Sequence, residues 1–179
     1  KYAGVKNGMK VGVAGLGGLG HMGVKFSVAF GAEVTLISHT PAKEADAKRL
    51  GAHHFLLSSD ETQMKKHASY FDIVLNTISA QHDYKKYLDL LGLNGKMLLV
   101  GLPPENPKLD PFALIKNRRT VIGSMIGGTD ETQEMLDFCA SNNIVSDIEL
   151  IAVHQIDEAY DRMVKGDVRY RFVLDMSTL

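Results

Sequence analysis

The chain has 179 residues, 45% of them hydrophobic, which is enough to bury one good core with a smaller satellite of structure. Its 20 basic and 21 acidic residues leave a formal net charge of −1 with no block of like charge, which argues against a nucleic-acid binder and for a small-molecule partner. The single cysteine, Cys139, excludes an internal disulfide framework and a cysteine-built zinc site from this chain alone. With no charged n-region followed by an apolar h-region, and no apolar run near the roughly 18 residues of a membrane span, no membrane partner and a reducing, cytoplasmic setting are expected.

Short apolar runs rich in β-branched residues predict strands over 10–14, 33–38, 54–57, 72–76, 96–100 and 120–125. Between them, apolar positions returning every three or four residues predict helices over 18–30, 42–50, 60–68 and 81–91. Strands that are apolar on both faces, alternating with helices, predict an α/β fold: a doubly wound, parallel, six-stranded sheet of the Rossmann type. The stretch 101–111, with Pro103, Pro104, Pro107 and Pro111, is expected to be loop. Beyond it, Thr129 or Asp130 is expected to cap a helix through Glu134, Leu136 and Phe138, followed by a helix over 156–164 and a strand over 171–175. The alternating rhythm is broken there. The expected division is a dinucleotide-binding domain, residues 1–126, and a C-terminal segment, residues 127–179, that packs elsewhere. Beginning at Lys1, the chain is expected to be a piece of something longer.

The first strand runs directly into Gly15, Leu16, Gly17, Gly18, Leu19 and Gly20, and a helical pattern starts at once. This is GxGxxG between a strand and a helix. The first glycine permits the tight turn, the second lets backbone approach a pyrophosphate, and the third lets helix and strand pack closely, while the helix N-terminus presents free N–H groups to the phosphates. The residue that selects the dinucleotide belongs at the end of the second strand, where a carboxylate would bind the ribose hydroxyls of NAD. Here that end holds Ser38, His39, Thr40, Pro41, Ala42 and Lys43. With no carboxylate to repel a 2′-phosphate, two hydroxyl donors and a lysine, NADP(H) is the expected cofactor. The competing reading makes Ser38 and Thr40 ordinary loop and capping residues.

The seven histidines show no pair at metal-ligand spacing on one helix, and each is expected to be solvated or at the core edge. Lys85, Lys86, Arg118 and Arg119 are expected to be solvated charge, and Met125, Met135 and Met163 core filler. No nucleophile triad can be argued from spacing.

Three separated stretches, GLGGLGHMGVKF, GSMIGGTDETQEMLDFC and DVRYRFVLDM, resemble in the same order the zinc-dependent medium-chain alcohol dehydrogenases of the cinnamyl-alcohol-dehydrogenase-like group, and the likeness covers nearly the whole chain. The resemblance implies a two-domain subunit in which residues 127–179 complete a catalytic domain that precedes this chain. It also implies a catalytic zinc held by two cysteines and a histidine, and a four-cysteine structural zinc, neither ligand set being in this chain. Residues Gly15 to Gly20 would meet the pyrophosphate; Ser38, His39, Thr40 and Lys43 the 2′-phosphate; and Thr77, Gly101, Ser124 and Ile126 the nicotinamide side. Arg171 would reach the pyrophosphate from the returning segment, with Arg169 close enough to compete for the role. Pro41 and Ala42 stand where plant members carry serines, asparagine and lysine, so the NADP preference is expected to be weaker. The implied reaction is hydride transfer between the nicotinamide and a zinc-bound aldehyde or primary alcohol, in a homodimer joined through the run from Val121 to Ile126. Two other readings stay open: a zinc-independent quinone or enone reductase of the same superfamily, and a non-catalytic dinucleotide-binding module. A methyltransferase using S-adenosylmethionine ranks last, because the acidic residue it wants at the end of the second strand is absent.

Overall fold

The computed structural model describes residues 2–179. From the N-terminus run β1 (Lys10–Ala14), α1 (Gly18–Ala29), β2 (Glu33–Ser38), α2 (Glu44–Arg49), β3 (His54–Leu57), α3 (Glu61–Lys66), β4 (Phe71–Asn76), α4 (Tyr84–Leu88), β5 (Leu91–Leu99), α5 (Pro111–Ile115) and β6 (Thr120–Gly123). The six strands form one parallel sheet in the order β3-β2-β1-β4-β5-β6. The chain leaves β1 toward one edge and resumes from β4 toward the other. That reversal opens a crevice at the carboxyl ends of β1 and β4.

Alternation along each strand divides the core in two. Val11 and Val13 of β1 join Val34 and Leu36 of β2, Val24 of α1 and Ala47 of α2 on one face. Ala14, Ile37, Val74 and Met97 turn to the other face, against Tyr84, Tyr87 and Leu88 of α4 and Ala113 of α5. The doubly wound, six-stranded parallel sheet is thus as the sequence predicts.

Boundaries differ where local chemistry overrides periodicity. The helix expected over 81–91 is only α4, because the Asp83 carboxylate caps it by accepting from the Lys85 N–H at 2.9 Å, and because the chain turns at Leu90 into β5, the Leu90 carbonyl accepting from the Tyr70 and Phe71 N–H groups. The proline-rich stretch ends in a helix the sequence did not announce. Pro111 opens α5 at the position whose N–H has no intrahelical partner, and Asp110 accepts from the Phe112 N–H at 3.0 Å. The sixth strand stops at Gly123; beyond it Met125 and Ile126 are 90% and 92% exposed. Met125, with the part-exposed Met135 and Met163, is therefore not core filler. Arg119 is not solvated charge: it is 6% exposed, its guanidinium donating to the Leu91 and Ala113 carbonyls at 2.9 Å each.

The remaining chain forms α6 (Thr129–Ser141), β7 (Glu149–Ala152), α7 (Ile156–Val164) and β8 (Phe172–Asp175), with β7 and β8 paired in parallel as a separate two-stranded sheet. Gly128, not Thr129 or Asp130, is the capping position of α6; Glu131 accepts from its N–H at 3.3 Å. Strand β7, which the sequence reading does not predict, is held by its pairing with β8. Helix α6 lies against α1, Phe138 stacking on Phe30 at 4.7 Å.

Candidate functional site

The glycine-rich turn lies at the carboxyl end of β1, inside the crevice. Gly15 has φ +93°, a region that side chains rarely adopt, and its N–H donates to the Ile37 carbonyl of β2 at 2.9 Å. A Cβ on Gly20 would collide with the Gly15 carbonyl oxygen, so helix α1 begins this close to β1 only because position 20 lacks a side chain. Open space stands above Gly17, and α1 has no acidic residue in its first turn. Unpaired N–H groups and the positive end of the helix dipole therefore face a cradle of unfilled volume. A pyrophosphate fits this place chemically.

Thr77, just after β4, closes the far wall. Its N–H donates to the Ala14 carbonyl at 2.9 Å and its hydroxyl donates to the same oxygen at 2.8 Å. Gly101 is tied to that wall through its N–H, which donates to the Asn76 carbonyl at 3.1 Å, and the Ser124 N–H donates to Leu99 at 3.2 Å, prolonging the β5–β6 ladder. Asn76, which sequence reasoning passed over, is 1% exposed; its side chain accepts from the Ile78 N–H and donates to His82, shaping the loop after β4. Leu16 and Leu19 flank the turn, Leu16 packing on the core and Leu19 half exposed.

The end of β2 holds the second group. Ser38 is buried and its hydroxyl oxygen accepts from the Thr40 N–H at 3.3 Å; the Thr40 hydroxyl accepts from the Ala42 N–H at 3.4 Å, capping a single 3₁₀ turn at Pro41–Lys43. Both hydroxyls accept a nearby backbone N–H, Thr40 as the cap of the turn, yet each keeps its own O–H to donate. His39 is exposed and Lys43 half buried on this turn. The nearest carboxylates are already matched by cations: Glu44 by Lys48 at 2.7 Å, and Asp46 by Arg49 at 3.5 Å and Arg169 at 3.1 Å. Little free negative charge opposes an anion here.

A third group comes from the far end of the chain. The Arg171 guanidinium and the Tyr170 carbonyl lie within about 4 Å of the place a Cβ on Gly18 would occupy, which sets Arg171 over the first turn of α1. Arg171 precedes β8 instead of lying within it, and Arg169 pairs with Asp46 instead. Ser146 to Tyr170 supply the rest of the fastening. Asp147 pairs with Lys25 of α1 and with Arg49 of α2, the latter at 2.6 Å. Burial opposes the charged form of Asp147, but the hydrogen bonds from Lys25 and Arg49 outweigh it and hold the carboxyl below its ordinary range. Burial, together with the Asp46 charge, pushes the Tyr170 hydroxyl up to about 12.

Ile126 stands apart from the turn, on an apolar cavity of about 620 Å³ between α1, α6 and the sheet that includes none of Gly15 to Gly20. Among the described residues, no three His, Cys, Asp or Glu come together as a metal-ligand group, and Cys139 donates to the Met135 sulfur. No helix among them is long and apolar enough to cross a membrane.

A family described as zinc-binding dehydrogenase matches residues 18–141. The chain is 51% identical to an aldehyde reductase of Escherichia coli (strain K12), YahK, over 96% of its own length and 50% of that protein's. It superposes on a cinnamyl alcohol dehydrogenase from Sorghum bicolor with TM-score 0.95 and 42% identity, and on the CAD of Helicobacter pylori complexed with NADP(H) with TM-score 0.88 and 44% identity. In each case it covers 98% of this chain and 50% of the other. The chain spans about half the length of the proteins it matches.

Proposed function

The chain belongs to the zinc-binding dehydrogenase family, and we propose that it forms the cofactor-binding half of an NADP(H)-dependent alcohol dehydrogenase or aldehyde reductase. The observation that carries the reading is the joining of three groups around one crevice: the turn Gly15 to Gly20, the carboxylate-free loop Ser38 to Lys43, and Arg171 over Gly18. The turn and Arg171 would hold the pyrophosphate. Ser38, His39, Thr40 and Lys43 would hold the 2′-phosphate by donated hydrogen bonds and charge, and Thr77, Gly101, Ser124 and Ile126 would border the nicotinamide side. When bound, NADPH supplies a hydride to the aldehyde. The contribution of these residues is to fix the dinucleotide on a rigid sheet edge so that its reactive end faces a substrate domain.

The residues described here do not make a metal site, so we assign no step of the reaction to zinc within this chain and place the family's zinc ligands outside its 179 residues. We further propose that residues 127–179 complete the domain carrying them, although α6 packs on α1. The exposed edge of β6, with Met125 and Ile126 beyond it, supports a homodimer joined edge to edge.

Titration of the protein with NADPH and NADH, followed by cofactor fluorescence, tests the cofactor reading; the expected result is at least about tenfold tighter NADPH binding. Equal affinities would overturn the NADP assignment, and no binding of either would overturn the site. Reduction of aromatic and aliphatic aldehydes by the longer protein, lost on chelation, tests the activity.

A further inference from the structure

His21 is completely buried in the first turn of α1, immediately after the glycine turn, and none of the contacts assigned above uses it. Its ring makes three kinds of contact. Nδ1 lies 3.1 Å from the Gly17 carbonyl oxygen, which can only accept, so Nδ1 carries the proton. Nε2 is then a lone pair, and it accepts from the Asp147 N–H at 3.3 Å and from the Ser146 hydroxyl at 3.1 Å. The ring face stacks on Tyr170, centroids 4.7 Å apart and planes inclined by 16°. Burial lowers the His21 pKa, in keeping with the neutral ring that this donor and acceptor pattern requires.

Each contact ends on a different part of the pyrophosphate cradle. Gly17 is the open glycine of the turn. Ser146 and Asp147 lie in the returning segment, and Asp147 is held in turn by Lys25 and Arg49. Tyr170 is the residue directly before Arg171, whose guanidinium lies over Gly18. We infer that His21 is a positioning residue for dinucleotide binding: its neutral ring ties the Gly17 turn to the returning segment and sets Arg171 over the pyrophosphate place. This rests on the cofactor reading proposed above. The ring itself is fully buried and meets the turn only through the Gly17 carbonyl.

The test compares NADPH with adenosine 2′,5′-bisphosphate, which keeps the 2′-phosphate but lacks the nicotinamide half of the pyrophosphate. In His21→Leu, NADPH binding is expected to weaken about tenfold while bisphosphate binding changes less than about twofold, since the interaction lost is one charge-assisted contact at the pyrophosphate. In His21→Gln the amide can donate to Gly17 and accept from the Asp147 N–H, so affinity is expected to return to within about threefold. On an Arg171→Ala background, His21→Leu should cost less than about twofold more, because a residue acting through Arg171 loses its effect once Arg171 is gone. Additive losses in that cycle, or equal loss of both ligands, would overturn the positioning role in favour of simple structural support. If all His21 variants bind NADPH as the unmodified protein does, the inference fails and the cofactor reading stands. If the unmodified protein binds NADPH not at all, the cofactor reading fails first and takes this inference with it.

Discussion

The glycine turn and the returning segment meet at the same place on α1, yet they are held there by different physics. The turn is local: Gly15 to Gly20 are fixed by backbone conformation, by the β1–β2 ladder and by the absence of side chains where helix and strand touch. The returning segment is held by polar side chains across sequence separations above 120 residues, as in Lys25 with Asp147 and His21 with Ser146. A turn built from sterics fails abruptly when a side chain is added. A fastening built from hydrogen bonds and ion pairs fails gradually, and with pH.

That contrast can be broken at several points. The largest effect is expected from Gly20→Val, whose side chain would enter the Gly15 carbonyl; it should cost about 3 kcal/mol or more in denaturant unfolding and abolish NADPH binding. Retention of binding would mean that the turn is not held by steric contact. Next comes Ser38→Asp, which brings a carboxylate to the end of β2: NADPH affinity should fall about a hundredfold while NADH affinity changes less than about threefold, as like-charge contact costs several kcal/mol. Equal changes for the two cofactors in a titration would dissolve the link between this loop and the 2′-phosphate.

Asp147→Asn is a milder case, removing the charge that joins α1, α2 and the returning segment; the melting temperature is expected to drop by about 4 °C near neutral pH. The sign of its pH dependence follows from the lowered carboxyl pKa. Stability from this group is present above the ordinary aspartate range and is lost as pH falls through the depressed folded value, because the unfolded chain then binds the proton more readily. Calorimetric melts in buffers below the ordinary aspartate range should therefore show a shallower acid decline in Asp147→Asn than in the unmodified protein; parallel curves there would show that the pairs contribute nothing. Smallest of all is Lys48→Ala, which deletes an exposed pair with Glu44 on α2 and should move the melting temperature by less than about 1 °C.

Much of the fold is legible from local pattern. Strands β1 to β4 are visible as apolar runs because both faces of a parallel sheet are buried, and the fingerprint is visible because each glycine answers a constraint set by its immediate neighbours. The loop Ser38 to Lys43 is legible as carboxylate-free for the same reason. Elements whose stability is borrowed were missed or misjudged. Strand β7 exists by pairing with β8, α5 by the Asp110 cap and its packing through Ala113, and Arg119 is buried because carbonyls of β5 and α5 surround it.

The sequence by itself therefore determined the doubly wound sheet, the glycine turn and the absence of a carboxylate after β2, all of which follow from the periodicity and residue types of short segments. Only the tertiary structure decided that Arg171 and not Arg169 lies over Gly18, that Asp46 is matched by cations, and that His21 is a fully buried neutral ring instead of a solvated or core-edge histidine. A hydrogen bond or ion pair needs both partners within about 3 Å, and for these residues a partner comes from a part of the chain far away in sequence that only the folded arrangement of the sheet and α1 brings near.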